Sequence, residues 1–345
     1  MKNINMGAHR TIVPSDQKEI YIFAIGESLR YDNVSLNGKY HRSTTPRLEA
    51  KESNIMISDD YFSQACLTMY SVPQLITRAT PDNYELNYAE RSIVEPFREC
   101  GFNVFTVVSN TNLLSYEKYL SDGVDSLIIV PNVVKDGKIL SGDKTMIHIV
   151  DSLVQHHDKL FIMMQFLGNH SFFTNYEKEF ELYNPNSNNC SADMVRDSTM
   201  LINAYDNSIL YTDYILSSII EKIDRPNTTS AFIFVSDHGE SIGHGGARHG
   251  GNCAPVICEY HVPFIFWWSD SYNFLYADKV SNAQSHKQAK LNGDNIYYTL
   301  YDLADIQLSE QYNNLAWSVL SSSFIEHKRL ILVPDGVTCI HPDAQ

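Results

Sequence analysis

The chain has 345 residues, 43% of them hydrophobic and 19% charged, the balance of a folded protein rather than a disordered one. Lys and Arg total 26 against 41 Asp and Glu, a formal charge of −15, which excludes the broad basic footprint of a nucleic-acid binder but leaves room for a local lipid-headgroup site. No apolar run reaches the roughly 18 residues that a membrane-spanning helix needs.

In chain order, residues 1–18 read as an N-terminal extension or linker without the apolar core of a signal peptide. Glu19–Gly26 (EIYIFAIG) is the first buried strand. Asn103–Val108, Ser126–Val130, Lys159–Leu167, Ser230–Ser236 and Val262–Trp268 follow as strands, and Arg329–Val333 as a late, edge-type one. Asp143–His156, Ala192–Ile223 and Asp294–Ala304 have helical periodicity; in the second, Ile202, Tyr205, Ile209, Ile215 and Ile219 share a face. Tyr176–Cys190 and Gly239–Pro255 read as surface excursions. Strands alternating with helices predict an α/β fold, and no composition break divides residues 19–345, so one domain is expected.

Polar residues gather just after the strands: Glu27 and Ser28, Asn110, Asn169 and His170, and Asp237 and His238. Sites in open α/β sheets form at carboxyl strand ends, so these positions are expected to converge. In SAFIFVSDHGESIGHGGARHGG a strand runs into adjacent carboxylate and imidazole, donors that suit zinc or manganese and the sharpest local signal in the chain; the alternative is a helix N-cap Asp beside a chance His. Glu27 alone reads first as an acidic residue opening a helix. His170, His244 and His249 taken singly read as ordinary surface or core histidines. Thr68, in SQACLTMYSVPQLITRAT, sits at a helix start and reads as a cap or as a nucleophile, with Pro73 in the first turn. The six cysteines contain no CxxC, so zinc knuckles and thioredoxin-type sites are not indicated.

The ordered set GESLRYDNVSLNGKYHRSTTPRL, LTMYSVPQL, LGNHSFFTNYEKEFELYNP, NAYDNSILYTDYIL, SDHGES, RHG and VPFIFWWS resembles the catalytic domain of phosphoethanolamine transferases. These are sulfatase-like members of the alkaline phosphatase superfamily, and the likeness spans about residues 19–270. It implies a three-layer α/β/α fold with a central, mostly parallel sheet. It implies that Glu27, Thr68, Asp237 and His238 hold zinc, with Thr68 also accepting the phosphoryl group. His170, His249 and Asn110 would hold substrate phosphate or a second metal, and Mn2+ is the alternative ion. Lys118 is the nearest match to a lysine that the family carries. The cysteine pair that many members place around the nucleophile is replaced by Gln64 and Gln74, and a pairing of Cys253 with Cys258 is left open.

Carried over, the resemblance implies transfer of phosphoethanolamine from phosphatidylethanolamine to a cell-envelope acceptor (lipid A, lipopolysaccharide core, glucan or protein). The setting would be the periplasmic face of the bacterial inner membrane, by a monomer attached to the membrane through an N-terminal transmembrane domain outside this sequence. The alternatives are a glycerophosphate transferase of the lipoteichoic acid synthase type, a phosphodiesterase of the same superfamily, and a non-catalytic binding domain. An arylsulfatase is disfavoured because Cys66-Leu67-Thr68-Met69-Tyr70 lacks the proline and arginine of CxPxR.

Overall fold

The structure, a computed structural model, describes residues 5–12, 14, 18–90, 92–109, 117–135, 138–170, 176–186, 197–242, 249, 256–333 and 339–340. Its centre is a seven-stranded sheet of β1 (Lys18–Gly26), β2 (Ile55–Ile57), β3 (Asn103–Val108), β4 (Ser126–Ile129), β5 (Lys159–Gln165), β6 (Thr228–Ser236) and β7 (Phe264–Trp268). The strand order is β2-β7-β6-β1-β5-β3-β4. The five strands from β6 to β4 are parallel, and β7 runs antiparallel to both its neighbours.

Side-chain alternation along the strands builds two cores. Ile20, Ile22 and Ala24 of β1 face one side, where they meet Met146 and Val150 of α2 (Asp143–His156) and Tyr205, Ile209 and Ile219 of α3 (Ser198–Ile223). Tyr21, Phe23 and Ile25 face the other, with Val72 and Leu75 of α1 (Thr68–Ile76) and Ile296, Leu300 and Leu303 of α4 (Gly293–Leu303). Period-two burial on both faces explains why β1 reads as an unbroken apolar run. The result is the three-layer α/β/α arrangement expected from the sequence.

Four differences stand out. Strand β2 was not anticipated: three residues are too few for a periodic signal, and it is ordered by pairing with Ile265–Trp267. Ile331–Leu332 pairs with Cys339–Ile340 in a separate two-stranded ribbon, so the late strand is not an edge of the main sheet. Helix α3 begins at Ser198, because the Asp197 carboxylate accepts from the backbone N–H of Thr199 and Met200; residues 192–196 lie outside the described residues. Finally, His9–Arg10 pairs with Ile306–Gln307, and Arg10 is buried against Glu19 at 2.7 Å, so this part of the N-terminal segment is packed onto the body.

Candidate active site

The register of the parallel strands assembles the site. Gly26 of β1 lies opposite Ser236 of β6, so Glu27 and Asp237 leave the sheet side by side, and the Asp237 N–H donates to the Gly26 carbonyl at 3.0 Å. The chain then turns sharply at Ser28, a non-glycine residue at φ 60°. That strained conformation is held from three sides. The Ser28 N–H donates to Asp237 Oδ1 at 3.2 Å, Tyr205 of α3 donates its hydroxyl to the Ser28 carbonyl at 2.6 Å, and the Leu29 N–H donates to Ser236 Oγ at 2.8 Å.

On the other side of β1, strand β5 delivers the turn that carries His170. Gly168 sits at φ 51° against the Glu27 backbone, and the Asn169 N–H donates to the Glu27 carbonyl at 2.8 Å. Buried Asp143, the first residue of α2, grips this turn. Its carboxylate accepts from the backbone N–H of Leu167 and Gly168, each at 3.0 Å, and from the Ser109 hydroxyl at the end of β3.

Glu27, Asp237 and His238 are almost wholly buried and each offers a ligand atom within 4.8 Å of the others'. His238 Nε2 is 3.1 Å from Glu27 Oε1 and 3.5 Å from Asp237 Oδ2. The other ring nitrogen, Nδ1, is 2.9 Å from the Gly239 carbonyl and must donate to it, which fixes the ring with Nε2 towards the carboxylates. Burial and the neighbouring Glu27 push the Asp237 carboxyl up to about 7. Burial would also raise Glu27, but contact with His238 outweighs it and holds that carboxyl at about 2. Burial would lower the His238 imidazole; Asp237 and Glu27 overcome this and push it up to about 10. Two carboxylates thus share one compensating charge. Among the described residues, buried Asp237 Oδ2 has no hydrogen-bond partner. An oxygen left this way costs about 1–3 kcal/mol, and a divalent cation among the three groups would satisfy it. The donor set of two carboxylates and one imidazole suits zinc.

Thr68 completes the cluster. Leu67 is the N-cap of α1 and Thr68 its first residue, so the hydroxyl does not cap the helix. Instead Oγ1 donates to Glu27 Oε2 at 3.1 Å and lies 3.3 Å from His238 Nε2. Pro73 falls in the second turn rather than the first; the Met69 carbonyl it leaves without a helical donor accepts from the Tyr84 hydroxyl at 3.4 Å. Ser71 of α1 donates to the Asp237 carbonyl at 2.5 Å, as does Ser63, tying the helix start to the β6 end.

The remaining expected residues fall into two groups. His249 lies against His238, the rings tilted with centroids 4.1 Å apart, and His170 meets His249 edge to face with centroids 6.2 Å apart. His249 is oriented by buried Glu240, whose carboxylate is 2.9 Å from Nδ1. Ser28, already among the polar residues expected after the first strand, supports Glu27 by donating to Oε1 at 3.0 Å; Glu240 was not singled out, for although it is visible in SDHGES nothing local says that residue 249 returns to it. Asn110, His244 and Cys253 lie outside the described residues, and Cys66, Cys100 and Cys258 are free thiols. Lys118 is exposed on the short helix Glu117–Ser121.

Comparison with known proteins adds lineage. The chain is 28% identical over 322 residues to the phosphoethanolamine transferase EptA of Salmonella typhimurium, covering 88% of this chain and 57% of that protein. It is 27% identical over 299 residues to the Kdo(2)-lipid A phosphoethanolamine 7''-transferase of Escherichia coli, covering 84% and 51%. It therefore spans just over half the length of these curated relatives. The C-terminal periplasmic domain of EptC from Escherichia coli, solved in complex with zinc, superposes with a TM-score of 0.84 at 20% identity, over 98% of this chain and 96% of that one, and so shares the fold. The sequence model described as Sulfatase matches residues 19–306, a span that contains all of the central sheet but its first residue and all the clustered side chains, and the chain belongs to the sulfatase family.

Proposed function

We propose that this chain is the catalytic domain of a zinc-dependent phosphoethanolamine transferase. On this reading it takes the headgroup of phosphatidylethanolamine onto Thr68 and passes it to a lipid A or lipopolysaccharide acceptor at the periplasmic face of the inner membrane. The observation that carries the reading is the Thr68 hydroxyl, hydrogen-bonded to Glu27 and His238 inside a buried cluster of metal-ligand groups. The relatives named for phosphoethanolamine transfer support the choice of headgroup over glycerophosphate. We further propose that residues 19–345 act as one domain, onto which His9–Arg10 of the N-terminal segment packs.

Glu27, Asp237, His238 and Thr68 would hold the zinc ion, which when bound supplies positive charge that makes a neighbouring hydroxyl acidic near neutral pH. The chain's own groups do the rest. Glu27 Oε2 accepts the Thr68 proton as Oγ1 attacks phosphorus; the new Oγ1–P bond forms and the P–O bond to diacylglycerol breaks. His170 and His249 hold the phosphate oxygens, and His249, kept in place by Glu240, is set to protonate the departing diacylglycerol oxygen. An acceptor hydroxyl oxygen then attacks the same phosphorus, giving its proton to His249, and the Thr68–P bond breaks as the Thr68 oxygen takes back the proton held on Glu27. Splitting the transfer this way replaces one difficult encounter of two lipids with two displacements on one residue.

The test is product analysis with phosphatidylethanolamine and lipid A supplied together. Wild type should release diacylglycerol and yield phosphoethanolamine-modified lipid A, and Thr68→Ala should do neither. Release of free phosphoethanolamine only would favour a phosphodiesterase, and use of phosphatidylglycerol instead would favour glycerophosphate transfer. Equal turnover by Thr68→Ala would overturn the covalent route.

A further inference from the structure

One residue past Thr68 the surface changes character. Met69 is 46% exposed and Tyr88 63%. Between them Tyr70 and Tyr84 form a continuous ladder, with ring centroids 6.0 Å apart for Tyr70–Tyr84 and 6.2 Å for Tyr84–Tyr88, each pair edge to face. The Tyr84 hydroxyl is anchored on the Met69 carbonyl, the one freed by Pro73, so the ladder is fastened to the start of α1. Exposed apolar side chains standing singly need no explanation, but a run linked by ring contacts beside a nucleophile does. Tyrosine has an apolar body and a polar tip, the character that concentrates it at membrane–water interfaces.

The charges around the ladder select among surfaces. Its supporting segment, Pro81–Ala89, carries exposed Asp82 and Glu85 and no Lys or Arg, on a chain of net charge −15. An anionic leaflet would be repelled, because such surfaces attract polybasic segments. Ammonium headgroups fit, since carboxylates at the rim can meet the amines while Met69 and the tyrosine rings enter the interface.

We propose that the Met69–Tyr70–Tyr84–Tyr88 face docks on a bilayer of ethanolamine-headed phospholipid, so that the donor headgroup reaches Thr68 while its acyl chains stay in the membrane. The placement deepens the transferase reading and rests on it for the role of Thr68; the docking itself does not need it.

The test is flotation of this chain with vesicles of phosphatidylethanolamine and phosphatidylcholine, or of phosphatidylglycerol and phosphatidylcholine, alongside turnover of vesicle lipid and of a water-soluble phosphoethanolamine ester. Wild type should float with the ethanolamine vesicles in preference. Met69→Ser/Tyr88→Ser alters two exposed positions, which keeps the risk to folding low. It should cut the bound fraction about tenfold or more and lower the ratio of vesicle to soluble-ester turnover similarly. Asp82→Lys/Glu85→Lys should shift preference towards phosphatidylglycerol. Wild type that does not float, wild type that prefers phosphatidylglycerol, or a double serine variant that floats as wild type does would each overturn the docking surface. Wild type that binds ethanolamine vesicles but leaves both lipid and soluble ester intact would instead overturn the transferase reading and leave the surface standing.

Discussion

Gly168→Ala probes the packing that sets the site. Gly168 is at φ 51°, where an L-residue costs roughly 1–2 kcal/mol. A methyl added there would stand 3.0 Å from both the backbone N and O of Glu27 and 3.3 Å from its Cβ. The neighbour is backbone rather than a flexible tip, and the turn cannot swing away without breaking the two N–H bonds to Asp143, so overpacking adds about 1–3 kcal/mol. Against this, removing a glycine from the unfolded chain returns about 0.4–1 kcal/mol. The sum is a loss of about 1–5 kcal/mol, centred near 3. Gly38→Ala is the control: its φ is 71° but, among the described residues, nothing lies within 4 Å of the added methyl, so only the conformational cost applies, about 0–1.6 kcal/mol net. Urea denaturation of both variants separates the two contributions. Because the displaced atoms belong to Glu27, Gly168→Ala should also slow turnover, while Gly38→Ala should not. Equal stability loss in the two variants, with wild-type turnover in Gly168→Ala, would refute the claim that this contact holds Glu27 in place.

Two further outcomes follow from the buried charges. Asp237→Asn removes one of two carboxylates that crowd each other, so thermal denaturation without metal should show a protein as stable as wild type or more so. Zinc at a thousandfold excess over its Kd should add about 4 kcal/mol to wild type and far less to the variant; an equal zinc-induced rise in Tm in both would refute the ligand assignment. Asp213, whose carboxylate accepts from the backbone N–H of Arg47 and Leu48, is pushed by burial from 3.8 up to about 7. The folded chain then binds this proton more tightly than the unfolded one. Its contribution is full below about pH 4 and fades as pH rises to 7, with a slope of up to about 1.4 kcal/mol per pH unit. Asp213→Asn should flatten that stretch of the stability–pH curve, and an unchanged slope would contradict the assignment.

The sequence carried the sheet well because β1, β5 and β6 are buried on both faces and show as apolar runs, and it pointed to the clustered Glu27, Asp237 and His238 because they follow such runs directly. It was silent where order comes from tertiary pairing. Strand β2 depends on β7 for its definition, and Glu240 becomes informative only once residue 249 folds back onto it. Thr68 was ambiguous for a local reason: a threonine at a helix start is usually a cap, and only the arrival of Glu27, 41 positions earlier in the chain, gives its hydroxyl another partner. Asp143 reads as an ordinary first helical residue, yet its carboxylate joins the end of β3 to the His170 turn, a link no spacing rule contains.

The most direct test of the account is to find phosphorus on Thr68. Wild-type protein mixed briefly with phosphatidylethanolamine, quenched in acid and mapped by peptide mass spectrometry should carry phosphoethanolamine on the peptide containing Thr68, and Thr68→Ala should carry none anywhere. An adduct on another residue, or turnover with no adduct under conditions that stall the second step, would contradict it.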